Sequence, residues 1–381
     1  MKYVVCVPDG CADEPLAELG GRTPLEAAEL PNLAALAAAG EVGAAAVIPP
    51  GLPPGSDVGN MAILGYDPAR WHTGRAPIEA AALGLRLPPD RIAFRCNLVR
   101  VENGTMVDFA GGHPGNDDAA AVVKALDAEL GGGEVSFHPG VQYRHVMTAP
   151  ASWVDVDCAP PHDLTDKPVL RPSGPAAALV ADLEDRSREV LAGFDLAANQ
   201  IWLWGQGFQP RLPSFREQHG VAGGLVTAVD LVRGLGVLTE MAVVEVEGAT
   251  GWFDTNYEGK RDAALEALAG GLDLFVIHVE ATDEAGHAGS VEEKIRALEN
   301  WDRRILAGLV EGLDAMGEWR LLLLPDHATP IRLKTHTSDP VPYLLVGSHR
   351  DGPGGEYTER AAARCQPAPG WGLLARLLGR A

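Results

Sequence analysis

The chain has 381 residues and a formal net charge of −21, with 31 Lys+Arg against 52 Asp+Glu. This acidic balance argues against a nucleic-acid backbone or an anionic membrane surface as the main partner. A hydrophobic fraction of 46% excludes global disorder, and the length fits one large or two medium domains.

The cysteines and the N-terminal segment predict a cytoplasmic protein. The five cysteines are scattered and odd in number, so they imply neither a disulfide framework nor a zinc knuckle. The N-terminal MKYVVCVPDG turns polar too early for a signal peptide. Apolar runs such as residues 321–324 are far shorter than the roughly 20 residues that span a bilayer.

Three short apolar runs, each followed by acidic residues, predict buried strands of a parallel sheet. They are residues 3–7, 274–279 and 321–324. Helical patterns lie between them, including one that opens with a capping box at Thr23 and a long amphipathic one over residues 291–309. Strands that alternate with helices in this way predict an α/β fold.

The middle of the chain has a different pattern, with shorter apolar runs, more turns and many prolines. Strand-like segments at 92–101, 135–137 and 143–148 alternate with helical segments at 117–130 and 175–192. We therefore expect a smaller α+β domain over residues 86–219, inserted into a core domain made of residues 1–85 and 220–381.

Acidic and histidine side chains gather at the predicted strand ends, where open α/β sheets bind their ligands. The set comprises Asp9, Asp283, His287, Asp326, His327 and His336. Mixed oxygen and nitrogen donors suit a pair of divalent cations such as Mn²⁺ or Zn²⁺, and not an all-oxygen calcium cage. The alternative is that Asp9 caps a turn and that the Asp–His pairs cap helices.

Ser56 lies between a rigid Pro-Pro-Gly turn and an apolar helical segment. A serine in that place is ordinarily an N-cap. The alternative is a nucleophile at a helix N-terminus, where free N–H groups and the helix dipole favour phosphate and a metal ion makes the alkoxide accessible. The six candidate metal ligands favour the nucleophile.

Together these motifs resemble the archaeal-type cofactor-independent phosphoglycerate mutases of the alkaline phosphatase superfamily. The matching segments are VPDG at 7–10, GSD at 55–57, LGYDP at 64–68, FRCN at 94–97, GATG at 248–251, TNY at 255–257, TDEAGH at 282–287 and DH at 326–327. The resemblance covers nearly the full length. It implies an α/β fold with an alkaline-phosphatase-like three-layer αβα core, a mostly parallel sheet and an inserted cap domain that closes over the substrate.

The resemblance also implies the roles of the site residues. One metal ion would be held by Asp283, His287 and His336, and the other by Asp9, Asp326, His327 and the Ser56 oxygen. Ser56 would take the phosphoryl group of 3-phosphoglycerate and return it to the other hydroxyl of glycerate, giving 2-phosphoglycerate. The implied cofactors are two divalent ions, Mn²⁺ first, with Zn²⁺, Co²⁺ or Mg²⁺ as alternatives, and no bisphosphoglycerate.

The substrate-binding region departs from the family pattern. Where family members carry an Arg-Arg-Ala-Gly-Arg stretch, residues 106–113 read MVDFAGGH. This departure, together with PHD at 161–163 and IWLWGQG at 201–207, resembles a bacterial branch proposed to act on homoserine. The candidates for binding the substrate anion are Arg95, Arg144 and His145, with His113 as a proton donor. The alternative is that these are solvated rim residues.

Two other functions stay open at this point. One is a phosphotransferase or phosphatase of the same superfamily that acts on another small metabolite. The other is a non-catalytic protein that binds a phosphorylated ligand. In each case we expect a small phosphorylated molecule as the partner, no nucleic acid or membrane, and a monomer or small homo-oligomer.

Overall fold

The computed structural model describes residues 1–380, which form two compact units. The first unit combines Met1–His72 with the chain from Leu212 onward, and the second is Thr73–Arg211. Both boundaries of the second unit lie earlier in the chain than the expected residues 86 and 219. The first boundary lies earlier because a helix at Ala76–Ala82 packs on the strands of the second unit.

Strands and helices are distributed along the whole of the described chain. The strands are β1 (Lys2–Pro8), β2 (Glu41–Ala46), β3 (Arg91–Glu102), β4 (Thr105–Asp108), β5 (Ser136–Val141), β6 (Arg144–Pro150), β7 (Gln200–Gly207), β8 (Gly223–Val226), β9 (Ala242–Val244), β10 (Leu274–Val279), β11 (Trp319–Leu323), β12 (Val341–Gly347) and β13 (Ala368–Pro369). The helices are α1 (Pro24–Ala27), α2 (Pro31–Ala37), α3 (Ser56–Ile63), α4 (Pro68–Trp71), α5 (Ala76–Ala82), α6 (Asn116–Leu130), α7 (Ala177–Leu191), α8 (Phe215–His219), α9 (Asp230–Leu238), α10 (Tyr257–Ala269), α11 (Ala281–Ala288), α12 (Val291–Trp301), α13 (Ala307–Met316), α14 (Glu359–Ala362) and α15 (Gly370–Leu377). Across residues 1–380, none of the helices has the length and apolar content needed to cross a membrane.

The first unit is built on an eight-stranded sheet in the order β13-β2-β12-β11-β1-β10-β8-β9. Strand β1 lies inside it, parallel to both β10 and β11, and only the pairs that β12 makes are antiparallel. Because successive side chains of a strand point to opposite faces, Val4 and Cys6 join the core formed with α10, α12 and α13. Helices α3, α9 and α15 pack together and contact strands β8 and β11. The predicted α/β fold with a mostly parallel sheet is confirmed.

The second unit is an antiparallel sheet with helices. Its strand order is β4-β3-β6-β5, and β7 pairs with the other edge of β3. Helices α6 and α7 cover one face of this sheet through an apolar core that includes Phe94, Cys96 and Leu98 of β3. This arrangement is the α+β architecture that the middle of the sequence predicted.

Candidate metal centre and nucleophile

The polar residues that follow the central strands of the first unit meet at one edge of its sheet. Asp9 follows β1 directly, Asp283 and His287 lie on α11 just after β10, and Asp326 and His327 follow β11. All three strands are parallel, so their carboxyl ends lie side by side. The fold therefore brings three motifs that are far apart in the sequence together in one cluster.

The first group of potential ligands is Asp9, Asp326 and His327, whose donor atoms all lie within 4.8 Å of one another. His327 Nε2 is 3.6 Å from Asp9 Oδ1 and 3.5 Å from Asp326 Oδ2. Among the described residues, Asp9 Oδ1 is buried and has no hydrogen-bond partner. An orphaned buried carboxylate oxygen is costly unless a cation or donor meets it.

The second group is Asp283, His287 and His336. His287 Nε2 lies 3.2 Å from Asp283 Oδ2 and 3.0 Å from His336 Nε2, and His336 Nε2 lies 3.5 Å from Asp283 Oδ1. The two groups adjoin, since the His327 and His336 rings are 3.9 Å apart between centroids. The structure thus brings together all six side chains that the sequence singled out as ligands.

Burial and neighbouring charges shift the pKa values of several residues in this cluster. Burial and the neighbouring Asp326 and Asp283 charges raise the pKa of Asp9 well above its ordinary range. Burial opposes ionisation of Asp283, but His287 and His336 outweigh it and lower the pKa of that carboxyl. Burial lowers the pKa of His327 to about 4, so the ring is neutral near pH 7. Converging carboxylates and neutral imidazole are the donor set that divalent transition metals bind, and the residues present fit such ions.

Ser56 is the first residue of α3 and not its cap. The N-cap is Gly55, and no side chain caps this helix end, so the Ser56 hydroxyl is not used in the way that an N-cap serine is. Its Oγ lies 3.2 Å from His327 Nε2 instead. The hydroxyl therefore sits at a helix N-terminus and beside the first group of ligands, as a metal-activated nucleophile requires.

Two polar residues that the sequence reasoning missed hold this cluster in place. Thr329 Oγ1 donates to Asp283 Oδ1 at 2.5 Å and lies 3.1 Å from His327 Nδ1. With its proton committed to Asp283, Thr329 accepts from Nδ1–H, which leaves His327 Nε2 free to act as a ligand. Asn60 Nδ2 donates to Asp326 Oδ2 at 2.7 Å and to the Ser56 carbonyl at 3.0 Å. The spacing of Asn60, one helical turn after Ser56, was the signal available in the sequence.

The candidate anion-binding residues all lie in the second unit, on more than one face. In the register of β3 and β6, Asn97 pairs with Arg144 and Cys96 pairs with His145. Because paired residues point to the same side of a sheet, Arg144 shares a face with Arg95, whereas His145 faces the side covered by helices. The expectation that His145 joins the two arginines is not met, since neighbours along a strand point in opposite directions.

His145 and His113 have different surroundings. His145 is buried, and its Nδ1 accepts a hydrogen bond from Gly140 N at 2.9 Å. Burial lowers the pKa of His145 to about 3, so the ring is neutral near pH 7 and adds no charge to an anion site. His113 is exposed, and its ring meets the edge of the Tyr143 ring at 5.5 Å between centroids.

Arg95 is only 4% exposed and lies in a specific environment. Its Nε is 2.8 Å from Glu79 Oε2, and its guanidinium lies 4.6 Å from the centre of the Trp204 ring. Trp204 in turn donates from Nε1 to Asn97 Oδ1 at 3.1 Å. Burial lowers the pKa of Arg95 to about 10, which still leaves it charged near pH 7. Arg75 also pairs with Glu79, at 3.2 Å.

Comparisons with known proteins indicate one protein family. The family model described as 2,3-bisphosphoglycerate-independent phosphoglycerate mutase matches residues 37–195. A protein of that name from Methanothrix thermoacetophila is 46% identical over 361 residues, which is 91% of each chain. A solved structure of a Pyrococcus horikoshii protein has a TM-score of 0.81 at 28% identity, covering 100% of this chain and 98% of that one. The cofactor-independent phosphoglycerate mutase of Thermoplasma acidophilum has a TM-score of 0.63 at 25% identity, with 100% and 99% covered.

Proposed function

The chain belongs to the 2,3-bisphosphoglycerate-independent phosphoglycerate mutase family, and on this premise we propose that it interconverts 3-phosphoglycerate and 2-phosphoglycerate. The observation that carries the proposal is the position of Ser56. Its hydroxyl lies at the N-terminus of α3, 3.2 Å from His327, in a cluster of three aspartates and three histidines. A phosphoserine enzyme needs this combination of a free hydroxyl, helix N–H groups and a cation-binding cluster.

Ser56 carries out both halves of the proposed reaction. In the first half, Ser56 Oγ gives up its proton and forms a bond to phosphorus, the bond between phosphorus and the C3 oxygen of 3-phosphoglycerate breaks, and that oxygen takes up a proton. In the second half, the C2 hydroxyl of bound glycerate loses its proton and forms a bond to phosphorus, the bond between phosphorus and Ser56 Oγ breaks, and Ser56 Oγ takes up a proton. Atoms and charge balance over the cycle, so no bisphosphoglycerate is needed.

We propose that Asp283, His287 and His336 hold one divalent ion and that Asp9, Asp326, His327 and Ser56 hold another, with Mn²⁺ as the first choice. When bound, such ions lower the pKa of a serine hydroxyl and neutralise phosphoryl oxygens. The support is the orphaned Asp9 Oδ1 and the convergence of three buried carboxylates. Thr329 and Asn60 orient these ligands.

For the substrate we propose Arg95 and Arg144 as the residues that bind its anionic groups. They share one face of the second unit's sheet, and the Arg95 guanidinium is preoriented by Glu79 and by the Trp204 ring. A guanidinium held in this way loses little entropy when it binds carboxylate or phosphate. The branch that acts on another metabolite is not favoured, because the relatives that match nearly the whole chain are named phosphoglycerate mutases.

The test is product analysis with the full chain, 3-phosphoglycerate and Mn²⁺, without 2,3-bisphosphoglycerate. We expect 2-phosphoglycerate from the wild-type chain and none from Ser56→Ala. Ser214→Ala is the matched control, because Ser214 caps α8, so its loss costs about 1 kcal/mol of stability and leaves turnover intact. Release of free phosphate in place of 2-phosphoglycerate, or an active Ser56→Ala chain, would contradict the proposal.

A further inference from the structure

A chain of four buried ionisable side chains runs behind the metal-ligand cluster. Its members are Lys260, Glu280, His278 and Asp9, which are between 0% and 3% exposed. Lys260 Nζ lies 2.5 Å from Glu280 Oε2, Glu280 Oε1 lies 3.2 Å from His278 Nδ1, and His278 Nε2 lies 3.4 Å from Asp9 Oδ2. A buried charge is tolerated only when a group of opposite sign lies beside it. In this chain of side chains, each group contacts the next.

Glu280 is held in place by hydrogen bonds to both of its carboxylate oxygens. Its Oε1 accepts hydrogen bonds from Ala228 N at 2.6 Å and from Thr227 Oγ1 at 2.9 Å. Lys260 Nζ donates to Glu280 and also to the His278 carbonyl at 2.9 Å. Burial opposes the charge on Glu280, but Lys260 and His278 outweigh it and hold its pKa far below the ordinary range. Glu280 is therefore acceptor-only, and His278 Nδ1 must donate to it.

The other end of the imidazole faces Asp9. Among the described residues, neither His278 Nε2 nor Asp9 Oδ1 has a hydrogen-bond partner. Asp9 Oδ2 is on the side of His278, whereas Asp9 Oδ1 is 3.6 Å from His327 Nε2. One carboxylate oxygen is thus turned towards His278 and the other towards the ligand group.

We propose that His278, held by Glu280 and Lys260, is a positioning residue that fixes the Asp9 carboxylate with Oδ1 presented to the divalent ion of the Asp9, Asp326 and His327 group. The inference rests on the proposed metal site and adds three residues to it. His278 Nδ1 faces Glu280 at 3.2 Å, and its Nε2 is directed at Asp9 Oδ2 at 3.4 Å, so the ring lies between the two carboxyl groups. Outer residues of this kind set how tightly a ligand group binds its metal.

The experiment compares His278→Asn with His278→Gln by titrating the metal-free full chain with Mn²⁺ alone and counting bound ions. The amide nitrogen of Asn can replace Nδ1, whereas that of Gln reaches the position of Nε2. We expect His278→Asn to bind one of two Mn²⁺ ions ~10–100-fold more weakly, and His278→Gln to restore most of that affinity. His219→Asn is the matched control, since His219 is also buried in the first unit but bonds to the Leu64 carbonyl, and it should leave both affinities unchanged.

Each outcome of this titration decides the question. If His278→Asn and His278→Gln both bind two Mn²⁺ ions as tightly as the wild-type chain, His278 does not position Asp9, while the proposed metal site stands. If both His278 variants lose affinity equally, or if His219→Asn loses as much as they do, the loss does not depend on a donor at the Nε2 position and the inference is wrong. If the wild-type chain binds no Mn²⁺, the proposed metal site itself fails.

Discussion

Replacing Gly59 by alanine should displace the proposed nucleophile, Ser56, because the added methyl group would meet the backbone of the loop that carries Asp326 and His327. Gly59 lies in the helix that begins at Ser56, and an added Cβ would be 2.0 Å from the Asp326 carbonyl oxygen and 2.8 Å from its carbon. The obstacle is backbone, so no side-chain rotation relieves it, and α3 must move by roughly 1 Å. Overpacking of this kind costs about 1–3 kcal/mol, of which alanine's better helix propensity recovers only about 0.5–1 kcal/mol.

The assay pairs thermal unfolding with turnover of 3-phosphoglycerate. We expect Gly59→Ala to lower the unfolding temperature by about 2–6 °C and to reduce kcat by up to ~100-fold, because a 1 Å displacement of a reacting group has that effect. Gly372→Ala is the control, since Gly372 lies in α15 and an added Cβ meets nothing within 4 Å; it should be neutral or slightly stabilising. A Gly59→Ala chain with unchanged unfolding temperature and turnover would refute the reasoning.

Two further predictions concern pH. Burial lowers the pKa of His287, but Asp283, the Lys334 carbonyl and Glu284 together outweigh burial and raise it to about 9. A bound ion must therefore displace a proton below that pH. Mn²⁺ affinity should rise ~10-fold per pH unit up to about pH 9 and then level off, and a flat titration series would contradict this. Burial raises the pKa of Glu184 to about 8. Because that folded value exceeds the unfolded one, the folded chain keeps a proton that the unfolded chain loses, and stability should fall as pH rises from about 4.5 to 8. Glu184→Gln keeps the acceptor for Leu203 N and should remove this decline in a melting series, and an unchanged decline would show that another group causes it.

The convergence of the candidate metal ligands could be predicted because these residues lie at strand ends. Asp9, Asp283 and Asp326 each follow an apolar run, and the parallel sheet alone brings such ends together. His278 and Lys260, which lie behind this cluster, gave no such signal in the sequence. His278 lies inside the run 274–279, where it looks like one polar interruption of a buried strand, and its partner Lys260 lies on α10.

The second unit was harder to predict for two physical reasons. Side-chain direction alternates along a strand, so adjacent Arg144 and His145 face opposite sides of the sheet, although both were candidates for binding the same anion. The structure begins this unit at Thr73 and not at residue 86, because α5 is part of it, although α5 reads in the sequence as one more helix of the core domain. Only its contacts with the sheet, among them the pairing of Glu79 with Arg95, show that it belongs to the second unit.

The position of β1 has a consequence for the order in which the protein can assemble during synthesis. Strand β1 is synthesised well before both of the strands with which it pairs, which begin at Leu274 and Trp319. It must therefore wait, unpaired, while most of the polypeptide is made, and such long-range pairing slows folding. While it is unpaired, its apolar run VVCV is exposed and prone to aggregation. Asp9 cannot approach Asp326 until the chain has been made that far. We expect refolding of the first unit to be slow, and the second unit, which is a continuous segment, to form first.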